Sequence, residues 1–590
     1  MQKKYRIPAK ALIASCGLIG ALAFLLIYGL VPLDPTNDLW LLGGYDEGDI
    51  VQHYAGWLAF RNSPWAFPLG YASGASIPDG LIISYTDSVP WVAILCKLFR
   101  GILPSTWQYF GLYTFVCFVL QGIAAGLLLN RFSDSRAFTF GSCILFVSAP
   151  ILLDRALRHT ALASHWLILF SIYVYLVYRE KLTLLANGDA QELQEKRRLS
   201  LFPWQCFLLN VLAIGLHPYL MSITMLFTLL CCLEYACRAV WESKPLRWCK
   251  AAGLMLAVLL TTAFAGWCLG VVGWSSGDSR EGFGFYSMNL NAIVNPSSPF
   301  GYRWSRFLPV LPQGQGQYEG FNYLGLGFIL LLIAAAGMLL RDAISKKGMN
   351  GRVALFIKQN AWLLAAMAFL TLFAGSNVIS LGENSVTIPL PKSLLRLCGI
   401  FRSSGRMFFA VWYLLLLGAL KALQKMISSS KAAIIAITLV CVQLLDISPV
   451  LIQKHEHIQQ AAQGNFEPAI FQSGELLNIG KTHDKLLLTN NIVSRRDLAV
   501  LAGRQGMLCN AVLATGGGEY EGAWNSMMEK APAESLSGTP DRTAVYVTDS
   551  EGISEAWQEA YRNDDSIKLL QVAEYWFLIP EQENGQGEMT

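Results

Sequence analysis

Long apolar stretches recur along the chain, and they constrain its fold more than any other feature. A helix of about twenty apolar residues crosses the hydrocarbon core of a bilayer. Charged residues make up only 15% of the 590 residues, whereas about 25% is usual in a soluble protein. These observations predict a polytopic α-helical membrane protein with eleven transmembrane spans. The spans are predicted at roughly 11–31, 107–130, 137–153, 161–178, 201–216, 219–237, 251–272, 322–340, 359–375, 407–424 and 432–450.

The distribution of Lys and Arg between these spans predicts the orientation. Four basic residues precede the first span, and every second connection after it is also basic, whereas the connection 32–88 contains only Arg61. Since cytoplasmic loops carry the excess of Lys and Arg, we expect the N-terminus in the cytoplasm and the segment after 450 outside. No small-residue cleavage site follows the long first apolar stretch, so we expect it to remain as a membrane helix.

The composition changes after residue 450. The remaining residues are more polar, with strand-like runs at 485–489, 544–548 and 575–579 and a helix-like stretch at 553–562. This pattern predicts a membrane domain over 1–450, with a long first outer loop at 32–106, followed by a small soluble α/β domain over 451–590.

Acidic and aromatic residues are concentrated just after the first span. They are Asp46, Glu47, Asp49, His53, Tyr54 and Trp57. A carboxylate at the membrane boundary suits a general base or a metal ligand acting on a substrate delivered from the lipid. Asp49, His53 and Gly56 share one face of a predicted helix, and Gly56 would let a substrate come close. The alternative is a solvated acidic turn between helix and loop.

The other predicted outer loops contain polar and aromatic residues that could line the same cavity. They are Asp87, Asp154, Arg158, His159, His217, Arg303, Tyr318, Glu319, Arg402 and Arg406. Arginine binds phosphate oxygens through two parallel N–H groups. Arg402 and Arg406 are four residues apart at the entrance to a span, which suits a lipid phosphate or a pyrophosphate. Their alternative role is interfacial snorkelling.

Several of these residues have a structural alternative. Asp87 precedes a predicted helix and is equally suited to cap it. Asp154, Arg158 and His165 could form a salt-linked cap as well as bind a phosphate and a sugar hydroxyl. A lone histidine such as His217 is more often structural than catalytic.

Other classes of function are disfavoured by the sequence. It has no basic helix and no zinc-finger spacing, so nucleic acid is not an expected partner. Most of the 13 cysteines lie within apolar runs, where they act as small hydrophobic residues, and they outline no disulfide framework. The sequence also lacks a nucleotide-binding glycine loop, which favours a lipid-linked donor over a nucleotide sugar.

Four segments carry a resemblance to a known superfamily. They are Asp-Glu-Gly-Asp at 46–49, Gln-His-Tyr-Ala-Gly-Trp at 52–57, Tyr-Glu-Gly-Phe-Asn-Tyr-Leu-Gly at 318–325 and Phe-Arg-Ser-Ser-Gly-Arg at 401–406. Together with the soluble domain after the last span, they resemble the GT-C superfamily of integral membrane glycosyltransferases. Uncharacterised bacterial members and YfhO-type membrane proteins are the most similar, over about residues 1–450.

The resemblance implies an enzyme of the bacterial cytoplasmic membrane. Such an enzyme transfers a sugar, with inversion, from a polyprenyl-phosphate donor to a cell-envelope glycan, lipid or protein acceptor on the outer face. The base would be Asp49 or Asp46, near Glu47, with Asp154 as a second acid. A divalent cation, Mg²⁺ or Mn²⁺, would bind at Asp49 and Asp154. Membrane lipids are further expected partners.

Two other functions remain open from the sequence. A transporter or flippase of lipid-linked glycans would place charged residues in the middle of its spans. A non-catalytic assembly protein of the cell envelope would use the C-terminal domain to bind partners and would tolerate replacement of Asp49.

Overall fold

The computed structural model describes residues 9–42, 49–186, 204–238, 243–273, 282–297, 301–345, 349–513 and 520–581. Within these residues, nine helices are long and apolar enough to cross a membrane. The chain is therefore a polytopic helical protein with the apolar character of a membrane protein, as predicted. Helices suit such segments because they satisfy their own backbone polar groups, as the bilayer interior requires.

The helices and strands of the described residues are numbered here in chain order. The helices are α1 (Ala9–Tyr28), α2 (Leu39–Leu42), α3 (Asp49–Asn62), α4 (Pro90–Lys97), α5 (Phe110–Leu129), α6 (Arg136–Val147), α7 (Pro150–Arg155), α8 (Trp166–Ala186), α9 (Gln205–Ile214), α10 (Pro218–Arg238), α11 (Lys244–Leu269), α12 (Leu326–Ser345), α13 (Met349–Gly375), α14 (Lys392–Gly399), α15 (Phe409–Met426), α16 (Ser429–Asp446), α17 (Ser448–Ala462), α18 (Arg495–Arg504), α19 (Glu521–Asn525), α20 (Ala531–Ser535) and α21 (Glu551–Ala560). The strands are β1 (Tyr71–Ala72), β2 (Leu81–Ile82), β3 (Val378–Leu381), β4 (Asn384–Thr387), β5 (Lys485–Leu488), β6 (Leu508–Cys509), β7 (Ala544–Thr548), β8 (Ile567–Val572) and β9 (Tyr575–Pro580).

Nine of the eleven predicted spans correspond to candidate membrane helices in the described residues. The predictions at 201–216 and 322–340 do not. At the first place only the ten residues of α9 are helical. Ten helical residues rise about 15 Å, half the thickness of the hydrocarbon core. At the second place lies α12, which is not among the nine.

The first two long helices, α1 and α5, pack closely through glycines. A Cβ atom at Gly20 would lie 2.0 Å from the carbonyl oxygen of Phe118, and one at Gly122 would lie 2.1 Å from that of Cys16. Small residues at such positions let two helix backbones approach each other in a membrane protein. This packing fixes the end of α1, from which the first loop begins.

The C-terminal residues form a five-stranded sheet, as the strand-like runs at 485–489, 544–548 and 575–579 predict. The strand order is β6-β5-β7-β9-β8. Strands β6, β5 and β7 are parallel, and the pairs β7–β9 and β9–β8 are antiparallel. The predicted helix at 553–562 is present as α21.

The C-terminal domain packs against the first loop. Arg504 Nη2 lies 2.7 Å from Asp38 Oδ2, and the Asn62 side-chain amide donates to the Gly503 carbonyl oxygen at 2.6 Å. A backbone bridge joins Ala75 to Cys509. The domain and the first loop therefore lie at the same end of the helices, and this end contains the candidate site.

Candidate functional site

Charged residues from distant parts of the sequence meet where several candidate spans begin or end. Asp49 begins α3, and His53 follows one turn later. The loop between α7 and α8 contributes two residues, Arg158 and His159, and the short turn Gln317–Gly320 contributes Glu319. The other members are Asp87, Asp154, Arg155, His217 and Arg406.

One half of this site is a buried network of arginines and carboxylates, formed by Asp154, Arg155, Arg158, Glu319 and Arg406. Arg158 Nη2 lies 2.6 Å from Asp154 Oδ2, and Arg155 Nε lies 3.2 Å from the same oxygen. Glu319 Oε2 accepts from Arg155 Nη1 at 2.9 Å and from Arg406 Nη2 at 2.7 Å. We call these five residues the arginine network. Its short charge-assisted bonds are the strong kind.

The electrostatics of the arginine network make its carboxylates poor bases. Burial alone would raise the pKa of Glu319, but Arg155 and Arg406, with His159, outweigh it and hold the pKa well below its usual range. Asp154 is buried against two guanidinium groups. Asp154, predicted as a second acid and metal ligand, is thus held between two guanidinium groups, and a divalent cation there would stand beside two positive charges.

The other half of the site is the histidine cluster, which we define as Asp49, His53, Asp87, His159 and His217. Asp87 lies at its centre. Its Oδ2 is 3.9 Å from His53 Nε2 and 3.6 Å from His159 Nδ1, and its Oδ1 is 3.5 Å from His217 Nε2. His159 Nε2 is 3.7 Å from Asp49 Oδ2. These distances are longer than normal hydrogen bonds.

The charge states in the histidine cluster follow from burial and proximity. Burial lowers the pKa of His53 to about 4 and that of His217 to about 3, so both imidazoles are neutral at pH 7. Burial alone would raise the pKa of Asp87, but the surrounding histidines outweigh it and hold this pKa below its usual range. Asp87 is therefore a carboxylate surrounded by imidazoles.

His159 joins the two halves of the site. Its Nε2 lies 3.3 Å from Glu319 Oε1, while its Nδ1 faces Asp87. Asp49 faces outward from this junction toward the C-terminal domain, where Arg496 Nη1 lies 3.6 Å from its Oδ1. The side chains of Asp49 and Arg496 are each 27% exposed. The site therefore opens between the first loop and the C-terminal domain.

Gly56 has a different role from the one predicted for it. A Cβ atom there would lie 2.2 Å from Thr86 Oγ1 and 2.6 Å from Ser88 Oγ. The Ser88 hydroxyl also donates to the carbonyl oxygen of His53 at 2.8 Å. Because glycine has no side chain, the loop that carries Asp87 packs directly against Gly56, and this space is not open to a substrate. Asp87 itself has a left-handed backbone with φ of 54° and does not cap α4.

Tyr54 and Trp57, predicted to contact substrate, are core residues. Both are fully buried. The Tyr54 hydroxyl donates to Asp38 Oδ2 at 2.5 Å, and the Trp57 indole N–H donates to the Trp107 carbonyl oxygen at 2.9 Å. Tyr54 lies on a different face of α3 from His53, whereas Trp57 lies one turn farther along the side that carries Asp49 and His53, and the fold encloses both.

The predicted arginine pair does not form one phosphate clamp. Residues 404–408 form a short 3-10 helix, in which Arg406 turns inward onto Glu319. Arg402 precedes it, half-buried, with its guanidinium carbon 5.6 Å from the centre of the Tyr286 ring. Arg303 is exposed, and its side chain donates to carbonyl oxygens of its own loop.

Asp46 and Glu47, which were also predicted as site residues, lie outside the described residues. Tyr318 lies beside the site, with its ring centre 6.1 Å from that of Tyr286. Burial, reinforced by Glu319, raises the pKa of Tyr318 to about 12, so its hydroxyl remains a hydrogen-bond donor at neutral pH.

Sequence reasoning missed Arg155 and Arg496. Arg155 adjoins Asp154 and precedes Arg158 by three residues, so its position in a charged loop was a usable signal. Arg496 belongs to the C-terminal domain, and no local pattern connects it with Asp49.

A metal ion is best suited to His53, Asp87 and His159, which each offer one ligand atom within 4.8 Å of the others.

Comparison with known families adds one finding. A family model described as a domain of unknown function, DUF6311, matches residues 17–448, about three quarters of the chain. The chain belongs to the DUF6311 family. No curated protein matches it. In this DUF6311 protein the match covers every residue of the two halves of the site, whereas Arg496 lies beyond it.

Proposed function

We propose that this protein is a membrane glycosyltransferase that uses a polyprenyl-phosphate-linked sugar, with Asp49 as the catalytic base. The observation that carries the proposal is the position of Asp49. It is a carboxylate at the start of a helix, partly open to the outside of the site and adjacent to His159 and Arg496.

The other carboxylates of the site are less suited to this role. Asp154 and Glu319 are buried and form ion pairs with arginines. Asp87 is enclosed by three histidines. A general base needs access to the substrate hydroxyl within hydrogen-bond reach. Among the described acids of the site, Asp49 has the largest exposed fraction.

The proposed reaction is an inverting displacement at the anomeric carbon of the sugar. Asp49 accepts the proton of the acceptor hydroxyl as its oxygen bonds to that carbon. The bond from the carbon to the phosphate oxygen breaks, and its electron pair leaves with the polyprenyl phosphate. Cations that face the developing charge lower the barrier.

Arg402 and Arg496 are the cationic groups best placed for the departing phosphate. Arg402 is half-buried over Tyr286, which also contacts Tyr318. Arg496 lies beside Asp49 and is 27% exposed. Arg406 supports the site indirectly, because Glu319 engages its guanidinium at both Nε and Nη2.

The location of the charges favours an enzyme over a transporter. In the described residues, Asp154, His159, His217 and Arg406 lie at or near the ends of candidate spans, and Asp49, Asp87 and Glu319 lie outside these spans. A transport path would instead need charged groups near the middle of the bilayer. With the orientation predicted from Lys and Arg, the site would face outward, where polyprenyl-phosphate sugars are used.

The test is sugar transfer by the purified full chain. The enzyme is supplied with radiolabelled polyprenyl-phosphate hexoses and pentoses and with an envelope extract as acceptor source. Release of polyprenyl phosphate and label transfer are measured. We expect Asp49→Asn to lower the rate by about 10²-fold or more. Asp34→Asn is the matched control, since Asp34 lies in the same loop and its side chain accepts hydrogen bonds from the backbone N–H and the hydroxyl of Thr36.

Two results would contradict the proposal. One is the absence of transfer from every donor tested with the wild-type chain. The other is an Asp49→Asn variant that transfers sugar as fast as Asp34→Asn.

A further inference from the structure

We infer that His53, Asp87 and His159 bind one first-row transition-metal ion of the Zn²⁺ type. Each of the three residues offers one ligand atom within 4.8 Å of those of the other two. The ring nitrogens closest to Asp87 Oδ2 are His53 Nε2 and His159 Nδ1. This inference does not depend on the proposed reaction, because metal binding is measured without any substrate.

The spacing of the three atoms fits a coordination site better than a hydrogen-bonded group. Asp87 Oδ2 is 3.9 Å from His53 Nε2 and 3.6 Å from His159 Nδ1. A hydrogen bond would bring such atoms to about 3 Å. Ligand atoms about 2.0–2.1 Å from a tetrahedral ion stand about 3.4 Å apart. The two distances to Asp87 Oδ2 are therefore within about 0.5 Å of those expected around a bound ion.

His53 and His159 each make a hydrogen bond on the side of the ring away from Asp87. The ring nitrogen that faces Asp87 is therefore available to a metal ion. His53 Nδ1 lies 3.2 Å from the Thr160 hydroxyl, so its N–H can donate outward while Nε2 keeps a lone pair. His159 Nε2 lies 3.3 Å from Glu319 and can donate to it. His159 Nδ1 is buried and makes no hydrogen bond with the described residues. Metal-bound histidines are held by outer contacts of this kind.

His217 is a positioning residue and not a ligand. Its Nδ1 accepts the backbone N–H of Tyr219 at 3.2 Å. In a neutral imidazole the proton must then be on Nε2, which points toward Asp87 Oδ1 at 3.5 Å. His217 therefore holds one carboxylate oxygen and turns the other toward His53 and His159.

The donor atoms and the charge indicate the type of ion. Two imidazole nitrogens and one carboxylate oxygen suit Zn²⁺ and its transition-metal neighbours, whereas Mg²⁺ prefers oxygen ligands. All ion pairs of Asp87 with described residues are to histidines. A cation there thus avoids the guanidinium groups that surround Asp154. Asp87 is 24% exposed, which leaves room for a water or substrate oxygen as a further ligand.

The experiment measures the metal content of the full chain, purified in detergent without a histidine tag. The protein is stripped with a chelator, loaded with Zn²⁺ or Co²⁺, and freed of excess ion. We expect about one Zn²⁺ per chain by mass spectrometry and the absorption bands of tetrahedral or five-coordinate Co²⁺. His53→Ala, Asp87→Asn and His159→Ala should each remove the bound ion and these bands.

Three further variants distinguish the loss of a metal ligand from the loss of a positioning residue and from non-specific binding. His217→Ala should keep one ion per chain but weaken affinity by about 10- to 100-fold, and His217→Gln, which retains an N–H donor, should recover part of it. His455→Ala, in α17, should bind as the wild type does. Thermal unfolding of each variant identifies any that fails to fold.

The inference would be overturned by a folded wild-type chain that retains less than about 0.2 Zn²⁺ and shows no Co²⁺ bands. It would also be overturned if folded His53→Ala and His159→Ala variants bound as much ion as His455→Ala. Loss of sugar transfer alone would bear on the proposed function and not on the metal site.

Discussion

The arginine network and the histidine cluster meet at His159, yet they differ in spacing, burial and charge balance. The network pairs two carboxylates with three guanidinium groups, and its closest contacts are 2.6–2.9 Å. The cluster contains two carboxylates and three histidines, and its contacts, including that of Asp49 with Arg496, are 3.5–3.9 Å. All network side chains are at most 10% exposed, whereas those of Asp49 and Asp87 are 27% and 24% exposed.

This difference separates structural from chemical roles in a single group of charged residues. Charges that satisfy one another at short distance are costly to separate, and they fix the loops that carry them. Charges that are incompletely balanced and reachable can act on a ligand. Activity should therefore depend on the cluster, and folding on the network.

The largest expected effect is the loss of stability caused by Glu319→Gln. The change would remove the carboxylate that pairs with the buried guanidinium group of Arg406 and would leave Arg155 with Asp154 as its carboxylate partner, at a cost of about 3–5 kcal/mol. We expect a strongly lowered melting temperature in detergent or loss of folded protein. Asp49→Asn is the comparison, since its partly exposed side chain should change stability by less than about 1 kcal/mol. Equal melting temperatures for the two variants would show that the network does not stabilise the fold.

The second largest expected effect is the loss of stability and of Zn²⁺ affinity caused by Gly56→Ala. The added methyl group would meet Thr86 Oγ1 and Ser88 Oγ well inside contact distance. Overpacking of this kind costs about 1–3 kcal/mol. It should displace Asp87 and weaken Zn²⁺ binding in a chain that still folds. Gly418→Ala, in α15, has open space at its Cβ position and serves as the control. Unchanged Zn²⁺ affinity in Gly56→Ala would contradict this role of the glycine.

The third prediction concerns the dependence of stability on pH. The folded chain holds the pKa of His53 at about 4 and that of His217 at about 3, below the ordinary value of 6.5. The unfolded chain therefore takes up protons first as the pH falls below about 6.5, and stability decreases with it. His53 faces Asp87, His159, Asp49 and Arg496.

The measurement is the melting temperature of the metal-free protein between pH 7.5 and pH 4.5. We expect it to fall by several degrees over this range in the wild type and by less in His53→Gln. His455→Gln should retain the full slope. Identical slopes for His53→Gln and the wild type would show that burial of this imidazole does not govern the response.

The sequence predicted those features that depend on local pattern. Nine spans, the C-terminal strands and the common face of Asp49 and His53 follow from hydropathy and from helical or strand periodicity. The grouping of His159, His217, Glu319 and Arg406 was anticipated as one cavity of the outer loops, although not their division into two halves.

The features that sequence reasoning missed depend on contacts between residues that are distant in the sequence. Arg496 reaches Asp49 because the C-terminal domain packs on the first loop. Arg406 and Arg402 looked equivalent by spacing, but a 3-10 turn directs one inward and leaves the other over Tyr286. Gly56 signalled a close approach correctly, while the approaching group was another part of the chain.

The smallest expected effect tests Arg402, one of the two cations proposed to face the departing phosphate. Arg402→Ala should weaken binding of the polyprenyl-phosphate donor about tenfold, because a charge-assisted hydrogen bond contributes about 1.5 kcal/mol. Lys421→Ala removes an exposed cation near the other end of α15 and should leave donor affinity unchanged. Binding of a fluorescent polyprenyl phosphate to each variant gives the comparison, and melting temperatures should match. Equal losses in the two variants would mean that donor affinity depends on the overall positive charge of the protein and not on Arg402.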